Sequence, residues 1–113
     1  MAVYVGLDIG GTKIMVASAD RDGNILRRAR IDTSTRLETD LANLNSLIAD
    51  VAADEGILSM GAAIGGPLDW ETGIVSPLHQ PDWRNVPLKA LMESTWNCPF
   101  QVDVDTNVAA LGE

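Results

Sequence analysis

Cysteine, histidine, phenylalanine and tyrosine each occur once in these 113 residues. A single cysteine, Cys98, rules out an internal disulfide and fits a reducing compartment. It reads as a small hydrophobe near the start of a strand rather than a catalytic thiol. One histidine, His79, beside one cysteine leaves no zinc cluster in this chain. Basic residues are also scarce. Eight Lys and Arg stand against sixteen Asp and Glu, a formal charge of −8. That balance speaks against a nucleic-acid surface and against anionic lipid. No run approaches the roughly 18 apolar residues of a membrane span. The N-terminus also lacks the basic, apolar and small-residue regions of a signal peptide. The expectation is a soluble cytoplasmic protein with a small-molecule ligand and no nucleic-acid or membrane partner. A hydrophobic share of 46% and a charged share of 21% mark one globular domain.

Val3 to Ile9 is apolar and β-branched up to Asp8, and reads as a buried strand broken by Gly10-Gly11. Lys13 to Ala19 is a second strand. Asp22-Gly23 signals a turn, and Asn24 to Thr33 reads as a third strand. The three form an antiparallel meander. Leu41, Leu44, Leu47, Ile48 and Val51 recur at three- and four-residue spacing. They predict a helix from about Leu37 to Glu55, capped by Ser34 or Thr35 and ended by Gly56. Ser59 to Ile64 is a buried strand that stops at Gly65-Gly66-Pro67, so strand, helix and strand suggest a parallel crossover. Glu71-Thr72-Gly73 is a turn between two short extended pieces. A second helix runs from Val86 to about Thr95, with Pro87 in its first turn. Phe100 to Val104 is a fifth strand, and a helix starts near Thr106 or Asn107. The chain stops about two turns into that helix, which is short for one standing alone, so the end reads as a boundary. The fold class is α/β, with a mixed five-stranded sheet and helices.

Asp8-Ile9-Gly10-Gly11-Thr12-Lys13 is the first chemical candidate. A Walker loop needs Lys before Ser or Thr and a helix behind it, and a dinucleotide fingerprint also needs that helix. Here a strand follows. What remains is a glycine hairpin whose N–H groups can face an anion. Thr12 adds a hydroxyl and Lys13 a charge. Asp8 is a hard oxygen ligand able to hold Mg²⁺ through water. Without a phosphate ligand, the same string is a tight hairpin with a solvated acid.

Asp103-Val104-Asp105-Thr106-Asn107 is the second candidate. Acids at the carboxyl ends of strands in α/β sheets often serve function. Asp103 and Asp105 fall on one face of an extended chain, where each can raise the other's pKa. A base beside a hydroxyl is what phosphoryl transfer to an alcohol requires. Spacing alone leaves a second reading open, in which Asp105 caps the following helix.

Leu7 to Ile14 resembles the first phosphate motif of the ROK kinases (repressors, open reading frames and kinases), within the actin-like ATPase superfamily. Asp105-Thr106-Asn107-Val108-Ala109-Ala110-Leu111-Gly112-Glu113 is similar to the ROK segment whose Asp is the catalytic base. Gly65-Gly66-Pro67-Leu68-Asp69 resembles the family's sugar-side loop. Pro81 to Leu88 is similar to its loop with Trp and Pro-Leu. His79 stands where many members carry an Asn.

The resemblance spans Val5 to Glu113. It implies an N-terminal actin-like, ribonuclease-H-like lobe over residues 1–113, with the lobe for adenosine and zinc outside this chain. It implies ATP and Mg²⁺ as cofactors, a hexose substrate of glucokinase or fructokinase type, and a homodimer. By this carry-over Asp105 is the base. Asp8, Gly10, Gly11, Thr12 and Lys13 serve phosphate and metal. Gly65, Gly66, Pro67, His79, Asp103, Val104 and Asp105 line the sugar. One departure concerns Val104. Many members have Glu-Asn before Asp-Ala-Asn, and that Asn touches the sugar, which Val104 cannot do by hydrogen bonding. Fructokinase-like members carry an Asp-Thr-Asp variant nearer to this chain.

Two other functions compete. A sugar-sensing repressor of the same family would place a helix-turn-helix before the phosphate motif, and Met1 to Val5 leaves no room for it. A non-catalytic sugar-binding or assembly module would keep the lobe alone. The 113-residue chain by itself is expected to turn over little or no substrate, because catalysis needs two lobes to close. Trp83 reads as a packing residue, Trp70 stays open, Met60 and Met92 read as core, and Asp50, Asp54 and Glu55 as helix surface.

Overall fold

The computed structural model describes residues 2–103. The elements run β1 (Ala2–Ile9), β2 (Lys13–Ala19), β3 (Ile25–Asp32), α1 (Leu37–Ala52), β4 (Gly56–Ile64), β5 (Leu68–Asp69), β6 (Ile74–Val75), β7 (Val86–Pro87), α2 (Leu88–Trp96) and β8 (Phe100–Asp103). Among these residues the main sheet has five strands in the order β3-β2-β1-β4-β8. β1–β2 and β2–β3 are antiparallel, which is the expected meander. β4 lies parallel to β1, and β8 parallel to β4. The crossover through α1 therefore delivers β4 alongside β1 with the same direction.

Strand alternation decides which face is core. Val3, Val5, Leu7 and Ile9 on β1, with Ile14 and Val16 on β2, are almost fully buried. Leu44, Leu47, Ile48 and Val51 of α1 join them in one cluster, as the helical spacing requires. α1 packs over β1, β2 and β3, while α2 packs against β8 and β6. The Ser18 hydroxyl is buried and donates to the Val51 carbonyl at 2.7 Å, fastening β2 to the end of α1. Trp96 of α2 donates from its indole to Asn45 of α1 at 3.0 Å. Met60, Met92 and Cys98 are core, whereas Trp70 is 70% exposed.

Four boundaries differ from the sequence reading. α1 begins at Leu37 as expected but ends at Ala52, with Ala53 in the left-handed conformation. Gly56 does not end the helix, because pairing with Ala2 recruits it into β4. Neither Ser34 nor Thr35 caps α1. Arg36 sits at the N-cap without a side-chain bond. The Asp82 carboxylate, 45 residues on, instead accepts from the Leu37 N–H at 2.6 Å. Finally, Val86–Pro87 pairs with β6 in a small sheet β5-β6-β7, so α2 starts at Leu88. No described helix is long and apolar enough to cross a membrane.

Trp83 fills the joint between α1 and the loop before β7. It is 1% exposed, and its indole N–H donates to Asp40 at 3.1 Å. Asp40, wholly buried, also accepts from the Ser34 N–H at 2.8 Å. Trp83→Phe keeps the bulk and removes one partner of a buried carboxylate. The expected loss of stability is about 1–3 kcal/mol, read by urea unfolding, while a loss near zero would remove the joint from the account.

Candidate functional site

Three parallel strands end on the same edge of the main sheet. The register pairs Asp8 with Ala63, and Ala63 with Asp103. These residues form one row across β1, β4 and β8. With neighbouring strands about 4.8 Å apart, the Asp8 and Asp103 backbones lie roughly 10 Å from each other. The hairpin after β1 and the Gly65-Gly66-Pro67 turn after β4 leave from this edge, where ligands of α/β sheets bind. Val104 and Asp105, the assigned sugar neighbour and base, lie outside the described residues, as does the expected helix near Thr106.

The hairpin is closed by the Gly10 N–H, which donates to the Lys13 carbonyl at 2.9 Å. Gly10 is thereby spent on the turn. Among the described residues nothing accepts from the N–H groups of Gly11 and Thr12, the two residues at the tip. Thr33, just after β3, holds the loop from the side. Its hydroxyl donates to the Gly10 carbonyl at 2.7 Å, and its N–H donates to the Thr12 carbonyl at 2.8 Å. Lys13 does not face the tip. Its ammonium bonds Asp32 at 2.6 Å across the β2–β3 pair. The Lys13 hydrogen bond, then its charge, lowers the pKa of Asp32.

Asp8 is exposed at the end of β1, one residue short of the buried Ile9 and two short of the hairpin. Among the described residues no group of three or more His, Cys, Asp or Glu converges on a metal. A single exposed carboxylate beside a glycine hairpin is compatible with Mg²⁺. That ion usually keeps several waters and takes one or two carboxylates plus substrate phosphates.

The residues that the resemblance assigns to the sugar divide into two groups. Gly65 has open space where a Cβ would point, so packing does not demand glycine there. The Gly66 carbonyl accepts from the Leu78 N–H at 3.3 Å, and the Pro67 carbonyl from the Ser76 N–H at 3.0 Å. These bonds tie the turn to the segment that leads to His79. His79 is exposed and meets the hairpin directly. A Cβ on Gly11 would lie 2.7 Å from the His79 Cβ, so glycine is required at 11 for space. The Gly10-Gly11 hairpin and the residue-79 loop are therefore in contact.

Beside that contact lies a cavity of about 450 Å³ lined by residues of three segments: Gly11, Thr33–Thr35 and His79–Trp83. Sequence reasoning passed over Thr33, Asp40, Gln80 and Asp82. Asp40 alone left a signal, an acid one place before Leu41 on the apolar stripe of α1. The contacts of Thr33 and Asp82 join segments far apart in sequence, and Gln80 meets such segments only as part of the cavity wall.

The geometry so described has known counterparts. The sequence profile of the ROK family matches residues 4–113. The chain belongs to the ROK family. It is 33% identical to a glucokinase of Streptomyces coelicolor over its whole length, which is 36% of that protein. The ROK glucokinase of Streptomyces griseus, solved with glucose and AMPPNP, superposes with a TM-score of 0.82 at 30% identity. The match covers 96% of this chain and 35% of that one. A xylose repressor of Caldicellulosiruptor bescii is 25% identical over 96% of this chain and 29% of its own. This chain thus spans about a third of the length of the relatives it matches. Its fold is that of the actin-like ATPase lobe found in ROK sugar kinases.

Packing sorts the two glycines. Gly11→Ala forces the hairpin and His79 apart, with an expected cost of about 1–3 kcal/mol. Gly65→Ala points into open space and is expected to stay within about 0.5 kcal/mol. Thermal unfolding of both variants checks the order, and the reverse order would contradict this packing.

Proposed function

We propose that this chain is the N-terminal lobe of an ATP-dependent sugar kinase. The full-length protein transfers the γ-phosphoryl group of ATP to a hydroxyl of a hexose, in the manner of a glucokinase or fructokinase. The observation that carries this reading is the meeting of two loops at one sheet edge. The hairpin offers N–H groups at Gly11 and Thr12 that have no acceptor among the described residues, and the open Gly65 turn stands on the neighbouring parallel strand. The glucokinase resemblance along the whole chain supports it.

In this mechanism Asp105 accepts the proton of the sugar hydroxyl, the 6-OH of a hexose, as the oxygen attacks the γ-phosphorus in line. The Gly11 and Thr12 N–H groups donate to phosphate oxygens, and the Thr12 hydroxyl adds a third donor. Gly10 shapes the loop rather than binding. Lys13 reaches phosphate by leaving Asp32. Bound Mg²⁺ supplies charge neutralisation beside Asp8. Gly65, Gly66 and Pro67 border the sugar, His79 meets it from the hairpin side, and Asp103 and Val104 adjoin the base. The protein works in the cytoplasm, as a homodimer.

A second reading keeps the lobe as a sugar-binding regulator or assembly module, and the match to a xylose repressor favours it. One assay separates the two. ADP release is measured for the full-length protein across a hexose panel, with wild type beside Asp105→Asn. The kinase reading expects turnover of one or a few sugars and a loss of about 10²- to 10⁴-fold in kcat for the variant, at unchanged melting temperature. Sugar binding that needs no Mg-ATP, with no turnover on any sugar, favours the regulator.

A further inference from the structure

Gln80 is 5% exposed, and among the described residues its side-chain nitrogen Nε2 has no hydrogen-bond partner. A buried amide donor left unpaired costs about 1–3 kcal/mol, so its retention calls for a reason. Gln80 lines the 450 Å³ cavity beside the phosphate hairpin. That volume lies within the roughly 300–1,000 Å³ of small-molecule sites. Rotation about the last side-chain bond exchanges the two ends of the carboxamide, which is how the amide of a lining residue can be presented to a ligand there.

The lining indicates the ligand's chemistry. Thr33, Ser34 and Thr35 bring hydroxyls (those of Thr33 and Ser34 already donate to the Gly10 and Arg36 carbonyls), His79 an imidazole and Asp82 a carboxylate, and among the described residues neither Lys nor Arg lines the space. A carboxylate without a cation disfavours phosphate and suits a neutral polyhydroxylated molecule. The walls are fixed before any ligand arrives. Asp82 accepts from Leu37 at 2.6 Å, Asp40 joins Ser34 to Trp83, and Arg84 donates to the carbonyls of Pro77, Gln80 and Trp83. A rigid wall with one spare donor discriminates by hydroxyl position, because a ligand lacking the matching oxygen leaves the amide unpaired.

We propose that Gln80 is a specificity-determining residue that donates a hydrogen bond to a hydroxyl oxygen of the sugar in this cavity. The inference rests on the sugar-kinase reading and adds a residue and a subsite to it. Gln80 binds ligand without taking part in proton transfer, so its effect falls on KM.

The test uses the full-length protein, with the sugar turned over by wild type and its monodeoxy analogues. Gln80→Leu keeps the volume and removes the donor. KM for the parent sugar is expected to rise about 10-fold, with kcat within about twofold. Against one deoxy sugar the preference shown by wild type is expected to shrink by a similar factor. Gln80→Glu, which keeps the shape, repeats the measurement should the leucine variant fail to fold, and the same rise in KM is expected. A KM within twofold of wild type in the variant that folds, with undiminished discrimination against every analogue, overturns the proposal. Water would then satisfy the amide. Wild-type turnover in the same experiment keeps the kinase reading standing whichever way Gln80 falls. A wild type that phosphorylates no sugar ends both.

Discussion

Parallel pairing of β4 with β1 on one side and β8 on the other aligns Asp8, Ala63 and Asp103 in one row near one edge of the sheet. Everything chemical in the lobe depends on that register. A slip of one residue would turn Asp8 toward the core and Ile9 outward, since side chains alternate along a strand. The core resists such a slip: Val3, Val5, Leu7 and Ile9 are all nearly fully buried against one cluster. Hydrophobic packing on one face of the sheet thus holds the acids of the row Asp8–Ala63–Asp103 at their places along its edge.

A second level of order lies in the ties between loops. Thr33 holds the hairpin through both its hydroxyl and its N–H. Gly11 lets the hairpin touch His79. Asp40 and Asp82 then bind the start of α1 to the loop that carries His79, Gln80 and Trp83. The glycine hairpin, the start of α1 and the His79–Trp83 loop are therefore not independent loops on a scaffold. A change at either side is felt at the other through contacts between buried or tightly packed groups, which do not deform smoothly.

Much of this was legible in the residues. The β-branched run before Asp8, the Gly-Gly break and the leucine spacing of α1 located the first three strands and the main helix, because each element buries one face and shows its period. The small sheet β5-β6-β7 was not legible, since two-residue strands carry no period. The end of α1 and the start of β4 were misplaced because pairing with β1 outweighs the local preference of Gly56. Of the candidate site, Asp8 and the glycine loops stood out by motif. Motif reading placed Gly10 and Lys13 with the phosphate binders; in the structure described the Gly10 N–H donates to the Lys13 carbonyl and the Lys13 ammonium to Asp32. Gln80 looked like an ordinary polar residue before a proline, because nothing in its neighbours in sequence signals the burial of its side chain.

The central claim is that phosphate and sugar meet at the edge where β1, β4 and β8 end. A crystal structure of the full-length protein with a bound hexose and a non-hydrolysable ATP analogue tests it most directly. The account predicts the terminal phosphates on the Gly11 and Thr12 N–H groups, and the sugar between the Gly65 turn and the His79–Gln80 wall. A sugar bound away from that edge, or phosphates that avoid the hairpin tip, would contradict it.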